Sequence, residues 1–258
     1  MEQDFAFFQD WAYNNLAIDL SAYKPKQLHR RILSIMRRTG HKNLREFSKS
    51  ISADEKIRTQ FLDYITINVT EFFRNKPMFD NLETYVKEKM LPHYPNLRLW
   101  SAACSTGAEP YSMAIILDRI DRKGSHYILA TDIDSNILER ARQGIYNLNE
   151  MKNVSLEDRR KYFVEDQKKF HIREWLKRDV VFKKHDLILE PYEKNFHLIL
   201  CRNVVIYFNN DVKNRIYEKF YDSLMPGGLL FVGATETIYN YRELGFEKVA
   251  NFLYRKKE

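Results

Sequence analysis

Residues 97–134 read LRLWSAACSTGAEPYSMAIILDRIDRKGSHYILATDID, and this stretch limits the fold more than any other. An apolar run, Leu97 to Ala102, gives way to a small-residue turn, Ala103 to Gly107. A helical segment follows, then a second apolar run, Tyr127 to Ala130, closed by Asp132. Strand, tight loop, helix and a strand ending in a carboxylate make half of a doubly wound, nucleotide-binding sheet. Small side chains let a ligand approach the loop's backbone, and a carboxylate at the end of the next strand accepts hydrogen bonds from both hydroxyls of a ribose. The spacing alone leaves the nucleotide open.

Pyrophosphate-binding turns carry Gly-x-Gly-x-x-Gly, or end as a P-loop in Gly-Lys-Ser/Thr. Ser101 to Pro110 contains only Gly107 and has neither ending. A ligand with ribose and adenine but no phosphates fits better, and S-adenosylmethionine is the common cofactor of that description. At this level a methyltransferase stands beside another nucleotide binder and a degenerate structural sheet.

The chain is long enough, at 258 residues with 44% hydrophobic side chains, for one large domain or a main domain with a smaller companion. Apolar residues recur at helical spacing in Phe5, Phe8 and Ala12, in Leu28, Ile32, Ile35 and Met36, and from Ala53 to Ile67. Thr39-Gly40 and Ser52 supply a stop and a cap. This predicts an all-α N-terminal domain over residues 1–75 and a linker helix within 76–95, ended by Pro92 and Pro95. The sheet domain then spans 96–258. A helix from Ser135 to Arg142 stops at Gly144, and strands follow at Val180 to Phe182, Leu198 to Cys201 and Leu229 to Val232. Residues 161–184 alternate apolar and charged side chains and are expected to form a small antiparallel insertion.

No run approaches the roughly 18 apolar residues of a membrane span, and the acidic start MEQDFAFFQDW is unlike a secretory signal. A cytoplasmic, monomeric protein without membrane insertion is expected. Cys104 and Cys201 lie far apart in apolar segments, which supports neither a disulfide framework nor a metal site. The formal charge of +7 implies an acidic partner, and it is unevenly spread. Lys24 to Arg45 contains Lys24, Lys26, Arg30, Arg31, Arg37, Arg38, Lys42 and Arg45 with no acid. Such a run is a solvated helix face or a docking surface.

Three further segments narrow the reading. Asn68 to Arg74, NVTEFFR, places small polar side chains, two aromatics and a cation before the linker helix. Leu198 to Phe208 runs from an apolar strand into the polar and aromatic end CRNVVIYF, and Leu224 to Leu230 turns through Pro226-Gly227-Gly228 into a strand. NVTEFFR, WSAACSTGAEPYS, ATDID with the following helix and GIY, and LCRNVVIYF, in this order and spacing, resemble the chemotaxis receptor glutamate O-methyltransferases of the CheR type over essentially the whole chain. The resemblance implies a Rossmann-like S-adenosylmethionine-dependent sheet and methyl transfer to glutamates on the cytoplasmic helices of methyl-accepting receptors. The products would be glutamyl methyl esters and S-adenosylhomocysteine, in the service of chemotactic adaptation.

Residue expectations follow. Asp132 would hold the ribose, and Glu109, beside Gly107 in the first helical turn, the cofactor's amino group. The resemblance assigns Asn68, Thr70, Arg202 and Asn203 to the cofactor site, and Asp186-Leu187 to the adenine, where relatives often have Asn instead of Asp186. Methyl transfer to a carboxylate needs alignment rather than a strong base, because the attacking oxygen is already ionised at neutral pH. Arg74 is the candidate for gripping a carboxylate of substrate or cofactor through two bonds, and Tyr207 for positioning the reacting groups. Arg30, Arg31, Arg37 and Arg38 would dock a Glu-rich receptor helix.

One departure stands out. Many relatives carry a glycine-containing loop in the insertion that grasps a receptor tether peptide, whereas Lys161 to Lys184 has no glycine and a short loop at Glu165 to Lys169. Weak or absent tether binding is expected. The competing readings are a noncatalytic S-adenosylmethionine-binding adaptor and a nucleic-acid methyltransferase. The second lacks the Asn/Asp-Pro-Pro-Tyr strand end common in base methylation, so nucleic acid is not the expected partner.

Overall fold

The computed structural model describes residues 2–66 and 68–257. Two compact units emerge, one of Met1–Asn68 with Tyr207–Asn214, the other of Val69–Ile206 with Arg215–Glu258. The first is built on α1 (Glu2–Leu16), α2 (Pro25–Arg38), α3 (Leu44–Ala53) and α4 (Glu55–Thr66). Three buried rings pin three of these helices. Phe8 of α1 stacks parallel to Phe47 of α3 at 5.9 Å, and both meet Phe61 of α4 edge-on. Leu28, Ile32 and Ile35 of α2 are buried at the predicted spacing.

Helix ends follow from short polar side chains. Pro25 opens α2, and the Thr39 hydroxyl donates to the Ile35 carbonyl before left-handed Gly40 ends it. Ser52 lies inside α3, so the expected cap is misplaced by two residues. Asp54 does that work, accepting from the Lys56 and Ile57 N–H groups to start α4. The expected end of this helix at Ile67 falls outside the described residues. The segment Tyr207–Asn214 joins the helical unit through its backbone. Lys24 N donates to Tyr207 O, Asn209 N donates to Ala22 O, and Tyr23 bridges Phe208.

The second unit opens with α5 (Lys76–Tyr85), which widens into a π turn over Val86–Met90. In chain order follow β1 (Arg98–Ala102), α6 (Ala108–Ile120), β2 (Tyr127–Asp132), α7 (Ser135–Gln143), β3 (Ile145–Tyr146), α8 (Leu156–Tyr162), β4 (Phe163–Asp166), β5 (Lys169–Ile172), α9 (Glu174–Lys177), β6 (Val180–Lys184), β7 (Phe196–Cys201), α10 (Asn210–Ser223), β8 (Leu224–Val232), β9 (Phe246–Ala250) and β10 (Leu253–Lys256). The main sheet has the order β6-β2-β1-β7-β8-β10-β9. Its first five strands are parallel, and β10 runs antiparallel to β8 and β9. This is the expected Rossmann-like α/β sheet with a small antiparallel companion, preceded by helices. Chain order reverses between β1 and β7, and a doubly wound sheet holds its ligand at that reversal, outside the carboxyl ends of the strands.

The antiparallel insertion overlaps the expected residues 161–184 only in part. It consists of β3, β5 and β4, so it starts at Ile145 and ends at Ile172. Val180–Lys184 is instead the parallel edge strand of the main sheet, paired with β2. The error has a physical source. An edge strand covered on one face alternates in burial, with Val180 buried and Val181 45% exposed, and mimics a half-solvated antiparallel strand. The β4–β5 hairpin turns on two residues, Gln167 and Lys168, both left-handed at φ 45° and 66°. Cys104 and Cys201 are free and buried. Among the described residues no helix is long and apolar enough to cross a membrane.

Candidate active site

The turn after β1 alternates left-handed residues: Ala103 at φ 63°, Ser105 at 51° and Gly107 at 84°. Backbone bonds hold it, Cys104 N to Thr131 O at 2.8 Å and Ser105 N to the Asp132 carboxylate at 2.9 Å. Asp132 also accepts from Asp134 N at 3.1 Å. Burial pushes its carboxyl up to about 6, against the pull of these backbone donors. At Gly107 a Cβ would lie 3.0 Å from Ala141 Cβ and 3.2 Å from Phe182 Cζ and the Tyr146 hydroxyl. Its glycine is thus demanded by backbone conformation and by packing against protein side chains.

Helix α6 begins directly after this turn and places Glu109 in its first turn. The Glu109 carboxylate accepts from the Ser101 hydroxyl at 2.8 Å and faces Arg202 Nη1 at 3.4 Å. Burial raises the Glu109 carboxyl and lowers the Arg202 guanidinium, each opposed by the other's charge. Desolvation therefore outweighs the pairing at this separation, and a further cation beside Glu109 would be favourable. Among the described residues Arg202 Nε is buried without a partner, whereas its Nη2 is spent within the protein. Its Nη2 donates to Arg74 O at 2.7 Å and Asn75 Oδ1 at 3.1 Å, and the guanidinium lies between the rings of Phe79 and Phe231 at 4.9 Å from each.

These bonds fix the turn that carries Arg74. Left-handed Phe73 and Asn75 flank it, Phe73 N donates to the Ser112 hydroxyl, and Asn153 Nδ2 reaches the Phe72 and Phe73 carbonyls. Arg74 Nη1 donates to Val69 O at 3.0 Å. Thr70 is half-buried in the same segment. Asn68 belongs to the helical unit, where its amide donates to the Thr66 hydroxyl. Tyr207 belongs there too and acts electrostatically on Arg31.

Strand register aligns Ala102, Thr131 and Cys201, so Asp132, Asn203 and the turn after β1 share one edge. Asp186, just past β6, accepts through Oδ1 from Ile188 N and Leu189 N, which makes a tight turn around buried Leu187. Leu187's carbonyl is taken by Tyr192 and Lys219. Among the described residues, Ser105 Oγ, Asp186 Oδ2 and Asn203 Oδ1 are buried without a hydrogen-bond partner. An edge so rich in acceptors suits a ligand rich in donors, such as ribose hydroxyls, an exocyclic amine and an ammonium group.

Two carboxylates escaped the sequence reading. Glu150 pairs with Arg140 and Asn147 while its carbonyl accepts from Phe72 N. Glu236 accepts from the Asn203, Val204 and Gly233 N–H groups. Glu236 has no local side-chain signal, since its partners are main-chain N–H groups; Glu150 left one in Asn147, three residues before it.

The basic residues divide. Arg30, Arg37 and Arg38 are exposed, whereas Arg31 is half-buried and donates to the Tyr64 carbonyl with its guanidinium 4.7 Å from that ring. Arg38 shares the ring at 5.4 Å. Arg31 thus packs α2 against α4, while Arg30, Arg37 and Arg38 are exposed.

Comparison with known proteins matches residues 3–66 to the CheR methyltransferase all-alpha domain and residues 68–251 to the CheR methyltransferase SAM binding domain. A chemotaxis protein methyltransferase of Listeria innocua is 40% identical over 99% of this chain and 98% of its own length. Those of Borreliella burgdorferi and Salmonella typhimurium are 36% and 32% identical, covering 93% and 88% of this chain and 90% and 81% of theirs. Two domain matches meeting at residues 66 and 68, where the compact units also part, and relatives aligned from end to end lead to one conclusion: this chain belongs to the CheR methyltransferase family.

Proposed function

We propose that this protein transfers the methyl group of S-adenosylmethionine to glutamate side chains on the cytoplasmic helices of chemoreceptors, leaving glutamyl methyl esters and S-adenosylhomocysteine. The observation that carries this reading is the end-to-end similarity to chemotaxis protein methyltransferases, and the acceptor-lined strand edge agrees with it. The cofactor supplies an electrophilic methyl group on a sulfonium. A bond forms from the glutamate oxygen to the methyl carbon as the carbon–sulfur bond breaks, its electron pair stays on sulfur, and no proton moves.

The chain's task is then alignment and charge management. Asp132 holds the ribose and Glu109 the ammonium, whose charge completes what Arg202 leaves under-compensated. Asp186 Oδ2, beside Leu187, accepts from the adenine amine, and Asn203 Oδ1 from a further donor. Arg74 engages a carboxylate, and Arg202 acts on it by fixing the Arg74 carbonyl. For Asn68, Thr70 and Tyr207 the assignment rests on the family resemblance. Arg30 and Arg37, exposed on α2, offer the acidic receptor helix a positive face. The two-residue hairpin at Gln167-Lys168 argues that a receptor tether peptide is not required.

The test is incubation of the protein with radiolabelled S-adenosylmethionine and receptor membranes, followed by mild alkali. Volatile methanol is expected, from a base-labile ester. Alkali-stable label, or label in nucleic acid, would overturn the proposal.

A further inference from the structure

Glu236 stands four residues past the end of β8, in Gly233-Ala234-Thr235-Glu236, and is 4% exposed. Its Oε2 accepts from Asn203 N at 2.6 Å and Gly233 N at 2.7 Å, and its Oε1 from Val204 N at 3.0 Å. The carboxylate thus straddles the carboxyl ends of two adjacent parallel strands, where Cys201 of β7 pairs with Val232 of β8. Space is made for it, because a Cβ at Gly233 would lie 2.4 Å from Oε2 and 3.0 Å from Asn203 N.

The strand end so held is Arg202-Asn203-Val204. Asn203 sits at φ 61°, a left-handed conformation that asparagine tolerates better than most side-chain-bearing residues, and its N–H is tied to Glu236. That backbone sets the direction of the Asn203 side chain, whose Oδ1 is buried and unpartnered, while the preceding Arg202 reaches Glu109 and the Arg74 carbonyl. Three N–H donors converge on this carboxyl, two on Oε2 and one on Oε1, and its ionised form accepts them most strongly. An amide has one acceptor oxygen and would turn its own N–H₂ against a donor.

We infer that Glu236 is a positioning residue for methyl transfer, fixing the left-handed turn at Asn203 and thereby the direction of the Asn203 side chain. This rests on the function proposed above, and it extends the site to a loop that touches neither reacting group. Glu236 acts through Asn203, so its contribution vanishes once that side chain is gone.

The experiment is calorimetric binding of S-adenosylhomocysteine, which needs no receptor, to wild type, Glu236→Gln, Asn203→Ala and the double variant, with Glu236→Asp as a second replacement. The expected result is about a tenfold loss for Glu236→Gln at temperatures well below melting, and a double variant no weaker than Asn203→Ala alone. Wild-type affinity in folded Glu236→Gln, or additive losses in the double variant, would overturn the inference. So would failure of both Glu236 variants to fold, which would make the residue one of sheet stability only. Absence of binding by the wild type would instead strike at the proposed function.

Discussion

Taking the pH from about 8 to about 5 should weaken S-adenosylhomocysteine binding about tenfold, with Asp132 as the titrating group. Asp132 is buried at the end of β2, and its carboxyl is pushed up to about 6. Ribose hydroxyls donate to the ionised form, so affinity follows the ionised fraction, which falls from near unity to roughly one-tenth over that range. The same shift acts on stability in the opposite sense. The folded carboxyl holds its proton more tightly than an unfolded one, whose value is near 3.8. Its stabilising contribution is present below about pH 4 and is lost as the pH rises through about 6, a span of about 3 kcal/mol. Asp132→Asn removes both slopes. Absolute stability is a poorer readout, because the amide leaves one of the Ser105 and Asp134 N–H groups facing its own N–H₂, at about 1–3 kcal/mol. Calorimetry across the pH range, with urea denaturation of both proteins, decides the matter. Flat wild-type affinity, or a slope that survives in Asp132→Asn, refutes the reasoning.

Three further outcomes are expected. Arg30→Glu combined with Arg37→Glu should raise the receptor KM roughly tenfold at low salt and flatten its salt dependence, with S-adenosylhomocysteine affinity unchanged. Arg31→Glu should instead lower the melting temperature, because Tyr64 holds that guanidinium; an unchanged KM in the double variant removes the docking assignment. In the hairpin, Gln167→Asn with Lys168→Gly should stabilise the fold by about 1 kcal/mol, read as a higher urea midpoint, and a lower midpoint would contradict the left-handed turn.

The sheet was legible because its strands are apolar runs and its turns are small residues, features that local sequence carries. Asp132 and Glu109 were legible for the same reason, each at a fixed place beside a strand or helix end. Helix α3 left a readable trace in Asn43 and Glu46, where the Asn43 side chain accepts from Glu46 N and the Glu46 carboxylate reaches Lys42 N. Periodicity alone misplaced Val180–Lys184, since an edge strand of a parallel sheet and a half-solvated antiparallel strand bury alternate residues alike. Glu236 could not be read at all. Its meaning lies in three main-chain donors brought together from residues 203, 204 and 233, and no side-chain pattern records them.

Ala103 and Ser105 hold left-handed backbones although each carries a Cβ, a conformation glycine would adopt without strain. A glycine-rich loop would sample many shapes when free and would surrender that freedom on capturing a ligand. Here the choice of shape is made during folding, when Cys104 N finds Thr131 O and Ser105 N finds Asp132. The entropy of ordering is therefore subtracted from the stability of the sheet and not from the affinity for the cofactor, so the loop meets its ligand already preorganised.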